Sequence, residues 1–577
     1  MAALTLTWTS GCGGPRLVEV DCLWVGPTSG GVAPASITLV EHKRSRLRVA
    51  VVEDTSLGTG QAWRASVWMA AFQAALAVDV SPSRWFISVD VHTDGQGIDG
   101  PSAGGLLTAA MMAGMTRARV RDDFTMTGTV NPDGTIGPVL GIRRKVEAAI
   151  AAGKTVVGYP RGQGDQVSGM DPPGVRLVPV TDVYEAYEYL TGRSAGRRDP
   201  VPVSAMVPPR LVSAAMLEGA REWLKRGRAD IAAYRQLGLS HRDLEHMIEA
   251  AERQDAMART DLKAGRVAAG YWRGVNMATR VRAAHQIGRL VGATSAGDPA
   301  AAAAILNEVR DAADSALHRA SQRVAAATPT SAADLACLVD AHEALVSSLR
   351  GHQSGSRSMT AVLGLLRRTT GSPEDDAVSM GISAVYDLSV AATNARVAEH
   401  NLTFRPPRGL APVPDSRIDR LSGVLNGAAR ANLAYFEASV GNEEAFRDPS
   451  YQSARTVERI VQGPLAVRLR HKTPQHIGKL AGALSVYINA ALLIARSVAG
   501  RGLTLDTMLE VAERSAREHA ARALATVGEI PAAARIAYRI AVAYRQRVGT
   551  ADKLEALEHF WRASLFSRMV VLLRPRS

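Results

Sequence analysis

Ser102 stands in the segment Asp99-Gly100-Pro101-Ser102-Ala103-Gly104, a setting suited to a nucleophilic serine. Gly100 permits a tight turn. Pro101 fits the first position of a helix, where its missing N–H costs nothing. The pattern therefore predicts a helix over Pro101–Met115 with Ser102 at its N-terminus. Unpaired backbone N–H groups and the positive end of the helix dipole gather at such a terminus. Around Asp99, Gly100 and Pro101 they could hold an oxyanion during acyl transfer. Ala103 and Gly104 read as small residues that leave room for a substrate backbone. Serine also favours helix N-caps for structural reasons alone, and a hydroxyl needs a base before it attacks. Ser102 therefore takes its meaning from its companions.

Lysine serves as that base when burial strips its proton. The first 195 residues hold three lysines, Lys43, Lys145 and Lys154. Lys145 falls near the start of a helix predicted over Ile142–Ala152, after the glycine-rich turn Asp133-Gly134-Thr135-Ile136-Gly137-Pro138. Thr127, in Met126-Thr127-Gly128, offers a hydroxyl that could orient an amine. His92 permits a serine–histidine triad as a competing arrangement, but reads more simply as a strand or surface histidine. Lys154 reads as a solvated helix end. No His/Cys cluster has metal-ligand spacing, His241, His246, His285 and His318 included.

Taken in order, DGPSAG, MTG, a DGTIGPV–GI segment ending in a lysine, and an AAGKTV strand entry resemble the proteolytic domain of Lon proteases across roughly residues 20–192. The resemblance implies that Ser102 is the catalytic serine, Lys145 the catalytic lysine and Thr127 the threonine that supports the dyad. It implies an α+β proteolytic domain with the ribosomal S5 domain 2-like fold. It also implies protein or peptide substrates, no cofactor, and a homo-oligomeric ring, often six-membered. NPDGTIGPV is similar to the Lon-like branch that works without ATP. The chain departs from the usual pair of glycines before the lysine helix, with Leu140-Gly141 there instead. Gly153-Lys154-Thr155 is similar to the end of a phosphate-binding loop. That loop would need a glycine at position 148, which is Ala148, and no other candidate occurs.

Several elements must position these residues. Ser36–Val40, Leu47–Val52, Trp85–Val91, Thr155–Tyr159 and Val175–Val180 read as strands. Gly60–Ala77, with Trp63, Val67, Ala71 and Ala75 on one stripe, reads as an amphipathic helix. A helix over Tyr184–Gly192 closes the region. Met1–Gly14 alternates like a strand and does not read as a secretory signal.

The proline-rich stretch Ser194–Pro209 and the run RPPRGLAPVP at Arg405–Pro414 then interrupt the chain. These breaks predict a proteolytic domain at 1–195, a linker at 196–209, a helical domain at 210–404, a second linker at 405–415 and a helical domain at 416–577. Leu388–Val390 and Leu484–Val486 each open an alanine-rich helix, but no named repeat holds.

The net charge of +13 is uneven. Residues 1–195 carry 17 Lys/Arg and 18 Asp/Glu, a net of −1, so the remainder carries +14. Attraction for an acidic partner should come from that remainder. A solvated arginine-rich surface is the simpler reading, and nucleic acid is not expected, because no compact basic run or recognition motif appears. Cys12, Cys22 and Cys337 form neither a disulfide framework nor a metal site, which makes a reducing, cytoplasmic setting the default. The apolar run Leu480–Ala495, flanked by Lys479 and Arg496, is short for a membrane span and suits a buried helix. The sequence thus predicts an ATP-independent Lon-like serine endopeptidase acting on unstructured polypeptides or one specific partner. The helical region would bind substrate or partner, or gate the site. A catalytically silent scaffold and a nucleic-acid-associated protein acting through the basic helical region are the alternatives.

Overall fold

A computed structural model describes residues 14–26, 29–42, 46–53, 58–92, 98–366, 375–406, 412–500 and 505–574. The alternation expected at Met1–Gly14, together with Cys12 and Lys43, falls almost wholly outside them, as do residues 407–411 of the second proline-rich break.

The N-terminal region mixes strands and helices in the order β1 (Arg16–Val25), β2 (Gly30–Glu41), β3 (Arg48–Glu53), α1 (Gln61–Ala77), β4 (Trp85–Val91), α2 (Gly104–Thr116), β5 (Phe124–Met126), β6 (Thr129–Val130), β7 (Ile136–Gly137), α3 (Ile142–Ala151), β8 (Val156–Pro160), β9 (Arg176–Val180) and α4 (Val183–Thr191). Four strands form a sheet in the order β1-β2-β4-β3, with only the β3/β4 pair parallel. β5, β8 and β9 form a second, parallel sheet, and β6 pairs with β7. Ala33, Ala35, Ile37 and Leu39 of β2 are buried at a period of two, placing one face of the sheet in the core. Parallel β5 and β8 require a crossover, and α3 supplies it.

Fourteen helices follow among the described residues: α5 (Arg210–Gln236), α6 (Arg242–Lys263), α7 (Val267–Ser295), α8 (Pro299–Ala326), α9 (Ala332–Leu366), α10 (Asp375–Asn401), α11 (Asp415–Val440), α12 (Asn442–Arg447), α13 (Pro449–Gln462), α14 (Pro464–Arg468), α15 (Lys472–Gly500), α16 (Asp506–Val527), α17 (Ala532–Arg545) and α18 (Thr550–Leu573). The architecture is an α/β N-terminal region followed by a large all-helical region. Among the described residues one helix, Lys472–Ser497, is long and apolar enough to cross a membrane, and 78% of its apolar window is buried inside the fold, so it packs as a core helix.

α1 departs from its predicted amphipathic pattern, because it is buried on nearly every side. One stripe faces the first sheet and α2; the other meets the helical region. Phe72 packs edge-on against Tyr487 of α15, with ring centroids 5.7 Å apart. Trp68 lies over Gly427 of α11, where a methyl group would collide with the indole. A single apolar core runs from Val18 to Leu573 across both regions, and α5–α10 enclose a second core of their own.

Polar contacts join the regions as well. Gln73 Nε2 donates to Tyr487 Oη at 2.7 Å, and Arg568 Nη1 donates to Gln73 Oε1 at 2.7 Å. Arg197 pairs with Asp182 at 2.7 Å and with Glu518 at 3.0 Å.

Candidate active site

Ser102 is placed by a turn and not by the helix itself. α2 starts at Gly104, three residues later than predicted, because the Gly104 N–H closes a tight turn onto the Pro101 carbonyl at 3.0 Å. Gly100 enters that turn at φ +118, a conformation that glycine adopts without strain. Asp99 anchors the turn from the other side. Its Oδ1 accepts from the Trp63 N–H at 3.1 Å and from the Gly100 N–H at 2.8 Å. It thereby caps the N-terminus of α1, whose own N-cap, Gly60, has no side chain to do so. A methyl group on Gly60 would collide with the Asp99 carboxylate. Among the described residues, the N–H groups of Ser102 and Ala103, in the turn that opens α2, meet no acceptor. The Gly100 N–H is already taken by Asp99.

Gly104 does not leave room for substrate, as the sequence suggested. It faces inward, with Ser66 Oγ and Val130 where its side chain would be. With Gly105, whose N–H donates to the Gly128 carbonyl at 2.9 Å, it lets α2 dock closely on α1 and β6.

Lys145 lies in the first turn of α3, on the face formed by Ile142, Val146 and Ala149. It occupies a core position of an amphipathic helix and is 2% exposed. Its amine donates to Thr127 Oγ1 at 3.2 Å, and the Thr127 hydroxyl donates to the Ser102 carbonyl at 3.3 Å. The Gly128 N–H donates to that carbonyl at 2.7 Å, so β5 and the turn after it hold the serine backbone in register. No carboxylate pairs with the amine among the described residues. Desolvation pushes its pKa down to about 8.

Ser102 and Lys145 line one pocket of about 50 Å³, with Cys22, Leu23, Trp24, Val25, Trp63 and Ile98 among its walls. These walls supply the low-dielectric surroundings that lower the lysine. Burial lifts the Cys22 thiol to about 12, so it stays protonated and is no rival nucleophile.

The pocket brings together Ser102, Lys145, Asp99 and Gly100, and Thr127 holds the lysine from behind. His92 is exposed beyond the end of β4 and does not line it. Lys154 corrects its predicted role as a solvated helix end. It is 7% exposed, donates to the Asp122 carbonyl at 2.5 Å and pairs with Asp21 of β1. Leu140, the departure from the double glycine, is 60% exposed, while Gly141 takes φ +68 to start α3. Sequence reasoning missed Gln163, whose amide bonds both the N–H and the carbonyl of Val139 at 2.8 Å and so fixes the approach to the lysine helix. It also missed the walls Cys22, Trp24 and Trp63. The alternation of Val18, Val20 and Cys22 was the available signal for that inward face.

The model of the Lon protease (S16) C-terminal proteolytic domain matches residues 67–176, which include Ser102, Thr127 and Lys145. The Lon protease of Desulfovibrio desulfuricans is 28% identical over 191 residues, covering 31% of this chain and 21% of that protein. That of Frankia alni is 33% identical over 123 residues, 19% and 14% of the respective chains. That of Dictyoglomus thermophilum is 43% identical over 75 residues, 13% and 10%. The chain spans about a fifth or less of the length of these curated relatives. Its N-terminal region contains a Lon-like serine protease proteolytic domain.

Proposed function

We propose that the chain is an ATP-independent Lon-like serine endopeptidase working through a Ser102–Lys145 dyad on unstructured polypeptides or a specific protein partner. The observation that carries this reading is an unpaired, desolvated lysine sharing an apolar pocket with a serine whose N–H points free. Near neutral pH a useful fraction of Lys145 is an uncharged amine. One of its N–H bonds is spent on Thr127, which leaves the lone pair for the Ser102 hydroxyl.

In the proposed cycle, Lys145 takes the hydroxyl proton as Ser102 Oγ attacks the peptide carbonyl. The N–H groups of Ser102 and Ala103 receive the developing oxyanion. The Lys145 ammonium then gives its proton to the leaving amine, and an acyl-enzyme remains. Water attacks the ester with Lys145 again as base and frees the serine. The 577 residues carry no phosphate-binding loop motif, which supports cleavage without ATP by this chain.

The test incubates wild type, Ser102→Ala and Lys145→Ala with an unfolded protein and with a cell extract, and identifies new N-termini by mass spectrometry. Cleavage by wild type alone is expected. Equal cleavage by all three would overturn the dyad, and no cleavage by wild type would leave the fold as a silent scaffold.

A further inference from the structure

An open groove of about 1030 Å³ runs between α9, α11 and α13. Five arginines line it: Arg350, Arg357, Arg430, Arg455 and Arg459, opposed by Glu437 and Glu458 alone. Glu458 is already committed, bonded to Arg430 at 2.6 Å and to Arg455 at 2.8 Å. Glu437 accepts from the Tyr451 hydroxyl. Among the described residues no carboxylate pairs with Arg350, Arg357 or Arg459. The groove therefore carries a net charge of +3, whereas Arg235 of α5 and Arg253 and Arg259 of α6 each pair with an acid.

One wall of the groove is tied through α1 to the turn that carries Ser102. Glu437, at one end, accepts from Gln61 Nε2 at 3.5 Å. Gln61 is the first residue of α1, and two residues further on the Trp63 N–H is held by Asp99, three positions before Ser102. Trp68 packs over Gly427, so α11, which carries one wall of the groove, lies directly against α1. Arg430 lies seven residues before Glu437, about 10 Å along α11. α13 contributes 14 residues, about 20 Å of wall, room for an extended segment of about six residues.

We infer that this groove docks an acidic, extended stretch of the polypeptide whose neighbouring segment enters the Ser102 pocket; the inference rests on the protease reading above. A polypeptide fits better than a nucleic acid because the groove offers one exposed aromatic, Phe446, and no succession of stacking platforms. Clustered arginines on a low-dielectric wall concentrate acidic chains, and salt weakens the effect.

The experiment uses the full chain and two 20-residue peptides with the same cleavable segment, one preceded by six glutamates and one by six glutamines. Wild type should favour the glutamate peptide by roughly tenfold in kcat/KM at 0.05 M salt, a preference falling toward unity at 0.5 M salt. Arg350→Glu/Arg357→Glu/Arg459→Glu should abolish the preference. Arg235→Glu/Arg253→Glu/Arg259→Glu, with the same charge change elsewhere, should keep it. A preference that survives the groove variant, or is absent from wild type, overturns the proposal.

Binding of the fluorescent glutamate peptide to Ser102→Ala, with and without the groove substitutions, reads docking without catalysis. If binding follows the groove arginines but no peptide is cleaved, the protease reading fails and the docking site stands. If single-stranded dT20 binds through these arginines while the glutamate peptide does not, the occupant is a nucleic acid and the proposal is wrong.

Discussion

Arg562 and Arg273 of the helical region and Lys145 of the N-terminal region are buried cations held in opposite ways. In the helical region Arg562 of α18 is clamped by both oxygens of Glu343 and reaches Glu558 at 2.8 Å. Arg273, with its side chain 3% exposed, pairs with Asp261 at 2.7 Å. Lys145, equally buried, receives only a threonine hydroxyl. A charge taken out of water without a counter-charge is very costly, and a group that can neutralise does so. Arginine cannot shed its proton, so it serves where charge must persist; lysine can, so it serves where a base is wanted. Even within the proteolytic region the contrast holds, because Lys154 has Asp21 and the Asp122 carbonyl where Lys145 has neither. The missing carboxylate beside Lys145 sets it apart from the ion pairs of Lys154, Arg273 and Arg562.

The sharpest way to break this comparison is to make both cations apolar. Lys145→Met should cut kcat/KM by roughly 10³-fold or more. The same change should raise stability by about 1–3 kcal/mol, since it removes a desolvated amine and strands no charged partner, while the Thr127 hydroxyl keeps its bond to the Ser102 carbonyl. Arg562→Met should do the reverse and destabilise by about 3–5 kcal/mol, because Glu343 stays buried with no cation. Denaturant midpoints at pH 7 measure both. Should Lys145→Met lose stability as Arg562→Met does, the lysine has a partner in solution and the distinction collapses.

The difference between the regions was only partly legible beforehand. Lys145 announced itself twice: it is one of three lysines in its region, and it interrupts the apolar stripe Ile142, Val146, Ala149 of α3. β4 was predicted at its observed limits because its alternation is local. β5, β6 and β7, of two or three residues, are too short to show a period; β5 exists through its bonds to the distant β8, and β6 and β7 through each other. The pairing of Lys154 depends on Asp21, far away in the chain, so proximity to a helix end misled. α1 read as amphipathic from the stripe Trp63, Val67, Ala71 and Ala75, although Trp68, Met69, Phe72 and Leu76 off that stripe were the local signal of a second partner, which Tyr487 and Arg568 help to supply.

The titration of Lys145 gives a smaller effect with two readouts. Its folded pKa of about 8 lies below the unfolded value near 10.4. The unfolded chain therefore binds more protons between these values, and stability should rise with pH across that window. The proposed cycle uses the neutral amine, so kcat/KM should climb about tenfold per pH unit up to pH 8 and then level off. Lys145→Met should lack the stability slope. A rate plateau reached near pH 6 would instead point to a histidine base.

Thr127 refines the contrast last, because it is all that Lys145 has in place of a counter-ion. Thr127→Val preserves shape and removes the hydroxyl that accepts from the amine at 3.2 Å and donates to the Ser102 carbonyl at 3.3 Å. A lysine no longer aimed at Ser102 should lower kcat/KM by about tenfold. It should also shift the rate plateau to lower pH, since losing that acceptor disfavours the ammonium form. Thr127→Ser, which restores the oxygen, should recover both the rate and the plateau. A purely structural threonine would lose stability in the valine variant while leaving the plateau at pH 8, and in that case orientation of the amine must come from the pocket walls alone.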